Sequence, residues 1–167
     1  MSNNLFVRDA SIEDIPTIQR IAFSTWPIAY SAILTKEQLD YMLDLFYQKE
    51  SLQYQMQEGH EFIVVEENNE VIGFASFNLI KQQPIIFKLQ KLYVLPETQK
   101  SGAGKLLLDK VIEKVKEKGA QRLQLNVNRH NRAIGFYEKM GFAIIKEDDI
   151  NIGRDYYMND YVMEKEL

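Results

Sequence analysis

The sequence predicts one α/β domain, and three observations carry that prediction. A β-branched and aromatic run at residues 89–94 is stopped by Pro96, passes into a glycine-bearing loop at 97–105, and then becomes an amphipathic run with no breaker until Gly119. Short strand-like runs recur on both sides of this unit, interleaved with helical stripes. No repeat, linker or low-complexity segment interrupts the 167 residues, so residues 1–167 are expected to share a single core.

Each element has its local reason. Leu5, Phe6 and Val7 read as a short first strand. Ser11 with Asp14 three residues on is a capping signal, and Ile15, Ile18, Ile21 and Ala22 give the following helix a buried stripe. Pro16 sits early in that helix, where a missing N–H costs little, and Trp26-Pro27 is expected to end it. Residues 26–35 are apolar and aromatic but irregular. Thr35 with Gln38 opens a second helix with Leu39, Met42, Leu43 and Phe46 inward, and residues 51–58 suit a third, short one. Residues 62–65 and 71–77 form a hairpin around Asn68-Asn69, a pair that tolerates the positive φ of a tight turn. Gln82-Gln83-Pro84 makes a loop before the central strand at 85–94.

The helix after the glycine loop buries Leu107, Leu108, Val111, Ile112 and Val115 and turns a sign-alternating face, Lys110 to Glu117, to solvent. Gly119 caps it, and residues 123–127 are the next strand. Asn131 is suited to cap a short helix whose Ile134, Tyr137 and Met140 lie on one stripe, with Gly141 as left-handed terminator and Phe142 packing back. Residues 142–146 and 156–164 are the last two strands, with Gly153 serving the turn between them.

Composition narrows the chemistry. Without cysteine there are no disulfides, thiolate metal sites or cysteine nucleophiles, and His60 and His130 alone cannot build a histidine-rich metal site. The start at Met1-Ser2-Asn3-Asn4 leads to Arg8 and Asp9 with no secretory core, and no run approaches a membrane span, so cytoplasmic residence is expected by default. A net charge of −4 argues against wholesale nucleic-acid binding and is compatible with cationic substrates.

The glycine loop reads as an anion cradle. Glycine lets a ligand approach the main chain, and the first N–H groups of a helix lack internal partners and carry the positive end of its dipole. Lys100 and Lys105 would add charge. A nucleotide P-loop requires glycine where Gln99 stands and Ser or Thr where Leu106 stands; a dinucleotide fingerprint requires a third glycine where Leu107 stands. The pattern present is Gln-x-x-Gly-x-Gly, residues 99–104. The plain alternative is a helix start whose glycines serve close packing.

That loop resembles the pyrophosphate loop of the Gcn5-related N-acetyltransferases. Asn131, Ala133-Ile134, Phe136-Tyr137, Lys139 and Gly141-Phe142 resemble the same family's late motif, about thirty residues on. Many relatives place the Asn three residues before the Ala; here it is two. The resemblance implies a mixed, mostly antiparallel sheet of about seven strands flanked by helices and splayed between the fourth and fifth. It implies acetyl-coenzyme A as cosubstrate and no metal. The main chain of Leu92, Tyr93 and Val94 would meet the pantetheine arm, with the Val94 amide toward the thioester oxygen. Gln99, Lys100, Ser101, Gly102, Ala103, Gly104, Lys105 and Asn131 would hold the rest of the cofactor. Tyr137 would be the general acid, where periodicity alone reads a buried aromatic. Trp26 and Tyr30 would line the acceptor pocket or, on the plain reading, serve the core.

A base is the gap in this pattern. An alkylamine of pKa near 10.4 costs roughly 4–5 kcal/mol to deprotonate at neutral pH. Relatives often carry a glutamate on the central strand; Lys88 and Gln90 stand there, and Asp148, Asp149 and Asp160 lie near the closing strands. Residues 149–164 are loosely similar to the ending of bacterial spermidine-type members. The expected activity is therefore acetyl transfer to a primary amine by direct attack, a small molecule such as a polyamine. A protein N-terminus or lysine, and a non-catalytic acyl-coenzyme A-binding regulatory module, are the alternatives. Members of the family are often homodimers.

Overall fold

Seven strands form one sheet in a computed structural model that describes residues 4–167, without the Lys100 side chain; residues 1–3 of the leading segment lie outside the described residues. The strands are β1 (Leu5–Asp9), β2 (Glu61–Glu67), β3 (Glu70–Gln82), β4 (Ile85–Val94), β5 (Arg122–Asn128), β6 (Ala143–Gly153) and β7 (Tyr156–Glu166). Their order is β1-β2-β3-β4-β5-β7-β6. Every neighbouring pair is antiparallel except β4 and β5. A parallel pair needs a crossover, and α4 (Ala103–Glu117) supplies it.

Helices cover both faces. On one, Leu107, Leu108, Val111 and Val115 of α4 pack against Phe77, Phe87, Leu123 and Leu125, with α5 (Ala133–Lys139) beside them. On the other, α1 (Ile15–Tyr30), α2 (Lys36–Tyr47) and α3 (Lys49–Gln57) bury Ile18, Ile21, Met42, Leu43 and Leu52 against Phe62, Val64 and Phe74. Each fully buried aliphatic side chain of this kind contributes about 1.5–3 kcal/mol.

Most local signals act as read. Ser11 and Asp14 make a capping box, on a 3-10 turn just before α1. Thr35 Oγ1 accepts the Gln38 N–H at 3.2 Å. Asn68 and Asn69 take φ values of 53° and 70° in their turn. One expectation is corrected: Trp26-Pro27 does not end α1, which continues to Tyr30. Pro27 forfeits one intrahelical bond, but Trp26 and Tyr30, four apart, stack at 4.9 Å, a contact that helical geometry provides. The last two strands also run past the expected bounds, joined through Arg154 and Asp155 at positive φ.

Two features bend β4. It has one residue more than β3 between the pairs Leu89↔Phe77 and Lys91↔Ser76, a bulge at Gln90. Just there its pairing with β5 stops: the ladder runs from Ile86↔Arg122 to Leu89↔Leu125 and no further. Beyond it β5 stays paired with β7 to Asn128↔Asp160, and β4 stays with β3 to Val94↔Gly73. The two strands therefore part in a wedge.

Gly73 permits this close approach. A Cβ there would lie 2.9 Å from the Tyr93 carbonyl oxygen and 3.0 Å from Val94 Cγ2. Gly73→Ala is expected to cost about 1–3 kcal/mol by overpacking, read as a lower urea midpoint; an unchanged midpoint would show that β4 can yield at no cost.

Candidate active site

The open edge of β4 follows from strand alternation. The Leu95 N–H bonds the Ile72 carbonyl at 2.8 Å, continuing the β3 register. In an antiparallel pair both backbone groups of a residue point the same way and alternate along the strand. Tyr93 thus turns its main chain to Phe74 on β3, while Leu92 and Val94 turn theirs into the wedge. Of the three main chains singled out from sequence, two face the wedge; Tyr93 brings its side chain instead.

The glycine loop closes one end. A 3-10 turn (Pro96–Ser101) ends at Gly102 with φ +88°, and α4 starts directly after it. A Cβ on Gly102 would meet nothing within 4 Å, so the space before the first turn of α4 is open. Gly104 lies 3.9 Å from Val94 Cγ2 and 4.0 Å from Phe136 by the same measure, which brings loop, strand end and α5 together. Gln99 Nε2 donates to the Val94 carbonyl at 3.4 Å, and Ser101 Oγ accepts the Ala103 N–H at 3.3 Å. Lys105 pairs with Asp109 at 2.8 Å on the exposed side of α4. The Lys100 side chain lies outside the described residues.

Phenols meet across the wedge. Tyr30, at the end of α1, shares a 3.0 Å hydrogen bond with the Tyr93 hydroxyl. Asn131 Oδ1 accepts the Ala133 N–H at 2.8 Å, so it caps α5 from the residue before the N-cap position, Arg132, and its Nδ2 donates to Tyr30 at 3.4 Å. Tyr137 is buried on the other side of the sheet, between Phe136 and Phe142. Burial pushes its phenol up, and the nearby Tyr30 adds to the shift. Burial likewise raises Tyr30 and Tyr93. All three stay protonated, hence donors, at neutral pH. Trp26 is 5% exposed and lies behind Tyr30 and Tyr93, with ring centroids at 4.9 and 5.8 Å.

The sheet face on the α1–α3 side carries the ionisable groups. Gln90 Nε2 donates to Asn78 Oδ1 at 2.9 Å. Burial lowers the Lys88 pKa against the pull of Asp160 and Asp148. Lys91 donates to Gln55 Oε1 at 2.8 Å beneath the rings of Tyr47 and Phe62, and burial brings its pKa down to about 8. His60, close to both lysines, is lowered as well, mainly by burial. At the far end Tyr41 donates to the Ile152 carbonyl at 2.6 Å and Gln38 to that of Tyr157 at 2.9 Å, tying α2 to the β6–β7 hairpin. Among the described residues no three His, Cys, Asp or Glu side chains cluster to hold a metal, and no helix is long and apolar enough to cross a membrane.

Two members were not singled out from sequence. The Tyr93 phenol was legible from period two, since its neighbours Leu92 and Val94 belong to the opposite core. Asp160 stood among three candidate acids, and only burial separates it from the others.

The profile of the acetyltransferase (GNAT) family matches residues 17–142. The chain is similar to the ribosomal protein bS18-alanine N-acetyltransferase of Haemophilus influenzae, with 41% identity over 91 residues, 54% of this chain and 57% of that one. It is similar along nearly its whole length to the spermidine N(1)-acetyltransferase of Thermoplasma acidophilum, with 28% identity over 165 residues and 95% of each chain. Its fold superposes on the PaiA N-acetyltransferase of Thermoplasma acidophilum, solved with coenzyme A, at a TM-score of 0.83 and 28% identity, covering 98% of this chain and 99% of that one.

The Lys91 environment makes a testable statement about stability. Its folded pKa of about 8 lies below the ordinary 10.5, so between those values the unfolded chain binds more protons and stability rises with pH. Lys91→Met should be at least as stable at pH 7 and should lose that rise in a urea titration series. A wild-type stability that falls steadily from pH 8 to 10.5 would show that the ammonium is not desolvated.

Proposed function

The chain belongs to the GNAT acetyltransferase family, and we propose that it transfers the acetyl group of acetyl-coenzyme A to a small primary amine, a polyamine in the first instance. The observation that carries this reading is the wedge, where open main chain, a glycine-led helix start and protonated phenols face one space. Acetyl-coenzyme A supplies an activated acyl thioester when bound.

The residues present fit such a cosubstrate. Gly102 leaves open space before the first turn of α4, where N–H donors and the helix dipole favour a pyrophosphate. In this proposal residues 99–105 cradle the phosphates, and the wedge-facing main chain of Leu92 and Val94 binds the pantetheine amides. The Val94 N–H donates to the acetyl oxygen as it gains charge, an interaction worth several kcal/mol in a water-poor site. Tyr137 donates its proton to the departing sulfur and is reprotonated from the attacking nitrogen, so no tyrosinate accumulates; such acids contribute about 10²–10⁴-fold. Asn131 fixes the start of α5 and the Tyr30 hydroxyl. Tyr30 meets the acceptor, and Trp26 braces it from behind.

Two observations favour a small acceptor. The similarity to the spermidine enzyme spans the chain from end to end. The bonds from Tyr41 and Gln38 close one end of the acceptor face, where an open groove would suit a peptide. The similarity to the alanine N-acetyltransferase supports a peptide N-terminus as the second reading.

The test is thiol release from acetyl-coenzyme A with a panel of polyamines, amino acids and peptides, with Tyr137→Phe alongside. Turnover on spermidine or another small amine is expected, falling at least about tenfold in the variant. Turnover on peptides alone moves the acceptor to proteins. Coenzyme A binding without turnover on any member sinks the catalytic reading.

A further inference from the structure

Asp160 is the acidic side chain that is buried among the described residues, at 3% exposure. It sits on β7 opposite Asn128 of β5 and Asp148 of β6, just where β5 has parted from β4. Its one side-chain hydrogen bond is long, from Asn126 Nδ2 at 3.4 Å. Arg129 acts on it only from a distance: that guanidinium donates to the Asp160 main-chain carbonyl at 3.2 Å and pairs with Asp149 at 2.7 Å. Lys88 pulls on the carboxylate from β4 without forming an ion pair. Asp160 in turn acts on the Tyr30 phenol across the wedge.

A buried carboxylate with one weak donor and no salt bridge is a poor structural element, because desolvation outweighs what that bond returns. The neighbouring acids are shallower, and two of them are partnered. Asp149 is exposed and paired with Arg129. Asp148 is half-buried. Glu164 accepts from Gln124 at 2.6 Å. Among the acids of the described residues Asp160 is the one that is both deep and under-satisfied, on the face that the acceptor would occupy.

We propose that Asp160 receives the acceptor's ammonium group in the wedge and takes the proton that frees its nitrogen. The inference rests on the acetyl-transfer reading above and deepens it, because it selects a cationic primary amine as substrate. One proton passes from the ammonium to the carboxylate, and the freed lone pair forms the N–C bond to the acetyl carbonyl. As the C–S bond breaks, the nitrogen gives up a second proton while the sulfur gains one through Tyr137. An N-acetyl amide and a thiol result, and Asp160 returns its proton to solvent. The groups that set its titration are Asn126, Lys88, Asp148 and Arg129, with Tyr30 facing it. Burial, the largest influence, holds its pKa above the ordinary carboxylate range, closer to the working pH where a general base is most effective.

The experiment measures kcat/KM for spermidine, or for the best amine of the panel, from about pH 6 to 10. Wild type, Asp160→Asn and Asp160→Glu are compared, with melting temperature and coenzyme A affinity measured on each. Asp160→Asn should lose at least about tenfold at pH 7 and approach wild type as pH rises and the amine deprotonates itself. Its melting temperature should hold or rise, because the ionised buried carboxylate costs stability above its raised pKa, and its coenzyme A affinity should not change. Asp160→Glu should keep the acid limb at lower turnover. A pH profile of the Asn variant that stays parallel to wild type, or equal to it, overturns this inference alone. Should the Asn variant fail to fold, the Glu variant decides, and loss of its acid limb overturns it. A wild type inert on every amine and peptide overturns the acetyl-transfer reading and this one with it.

Discussion

The parting of β4 from β5 is the constraint on which the rest of the molecule depends. Backbone N–H and C=O groups taken from water must find partners, and a parallel ladder that stops at Leu89↔Leu125 leaves two strand ends to be satisfied. On the β5 side β7 satisfies alternate residues, through pairs as far as Asn128↔Asp160. On the β4 side β3 satisfies Tyr93, and the alternating groups of Leu92 and Val94 remain turned to the wedge. The bulge at Gln90 and the missing side chain at Gly73 let β4 bend without breaking its β3 ladder. An open edge inside a sheet would be a liability elsewhere; here it is walled by α1, α5 and the glycine loop.

The wedge also lets the two cores communicate. Elsewhere the sheet separates the α4–α5 side from the α1–α3 side. At the gap Tyr30 and Tyr93 of one core come within electrostatic reach of Tyr137 of the other. Trp26 fixes this arrangement, since its ring touches those of Tyr30, Phe46, Tyr47 and Tyr93 at once. Continuation of α1 through Pro27 is therefore more than a boundary detail: it delivers the Tyr30 hydroxyl to Asn131 and Tyr93.

What could be read from the sequence was local. The strand, glycine loop and helix at residues 85–117 were legible because glycine, proline and helical periodicity act within a few residues, and Asn131, Gly141 and Asn68-Asn69 likewise carried their own turn chemistry. The end of α1 is not legible locally, because Pro27 is a strong local breaker, while the Trp26–Tyr30 stack that carries the helix onward is stabilised by distant rings of α2 and β4. Asp160 could not be told from Asp148 and Asp149, because its burial depends on register: which residues of β5 and β6 stand opposite it, and how far β4 has moved away.

Charge around the wedge follows one rule. Burial raises the phenols of Tyr30, Tyr93 and Tyr137 and the carboxyl of Asp160, and lowers Lys88, Lys91 and His60. Each group is moved toward its neutral form, and in each case desolvation is the first cause. An environment that penalises charge on seven resident groups penalises it on a visiting amine as well. It reduces the roughly 4–5 kcal/mol otherwise needed to present the neutral nucleophile at pH 7. Asp160 then need not be a strong base. In the proposed step it has to attract the ammonium into a place where the ammonium is no longer favoured, and the proton would move to the carboxylate because separated charges are costlier there than a neutral acid beside a neutral amine.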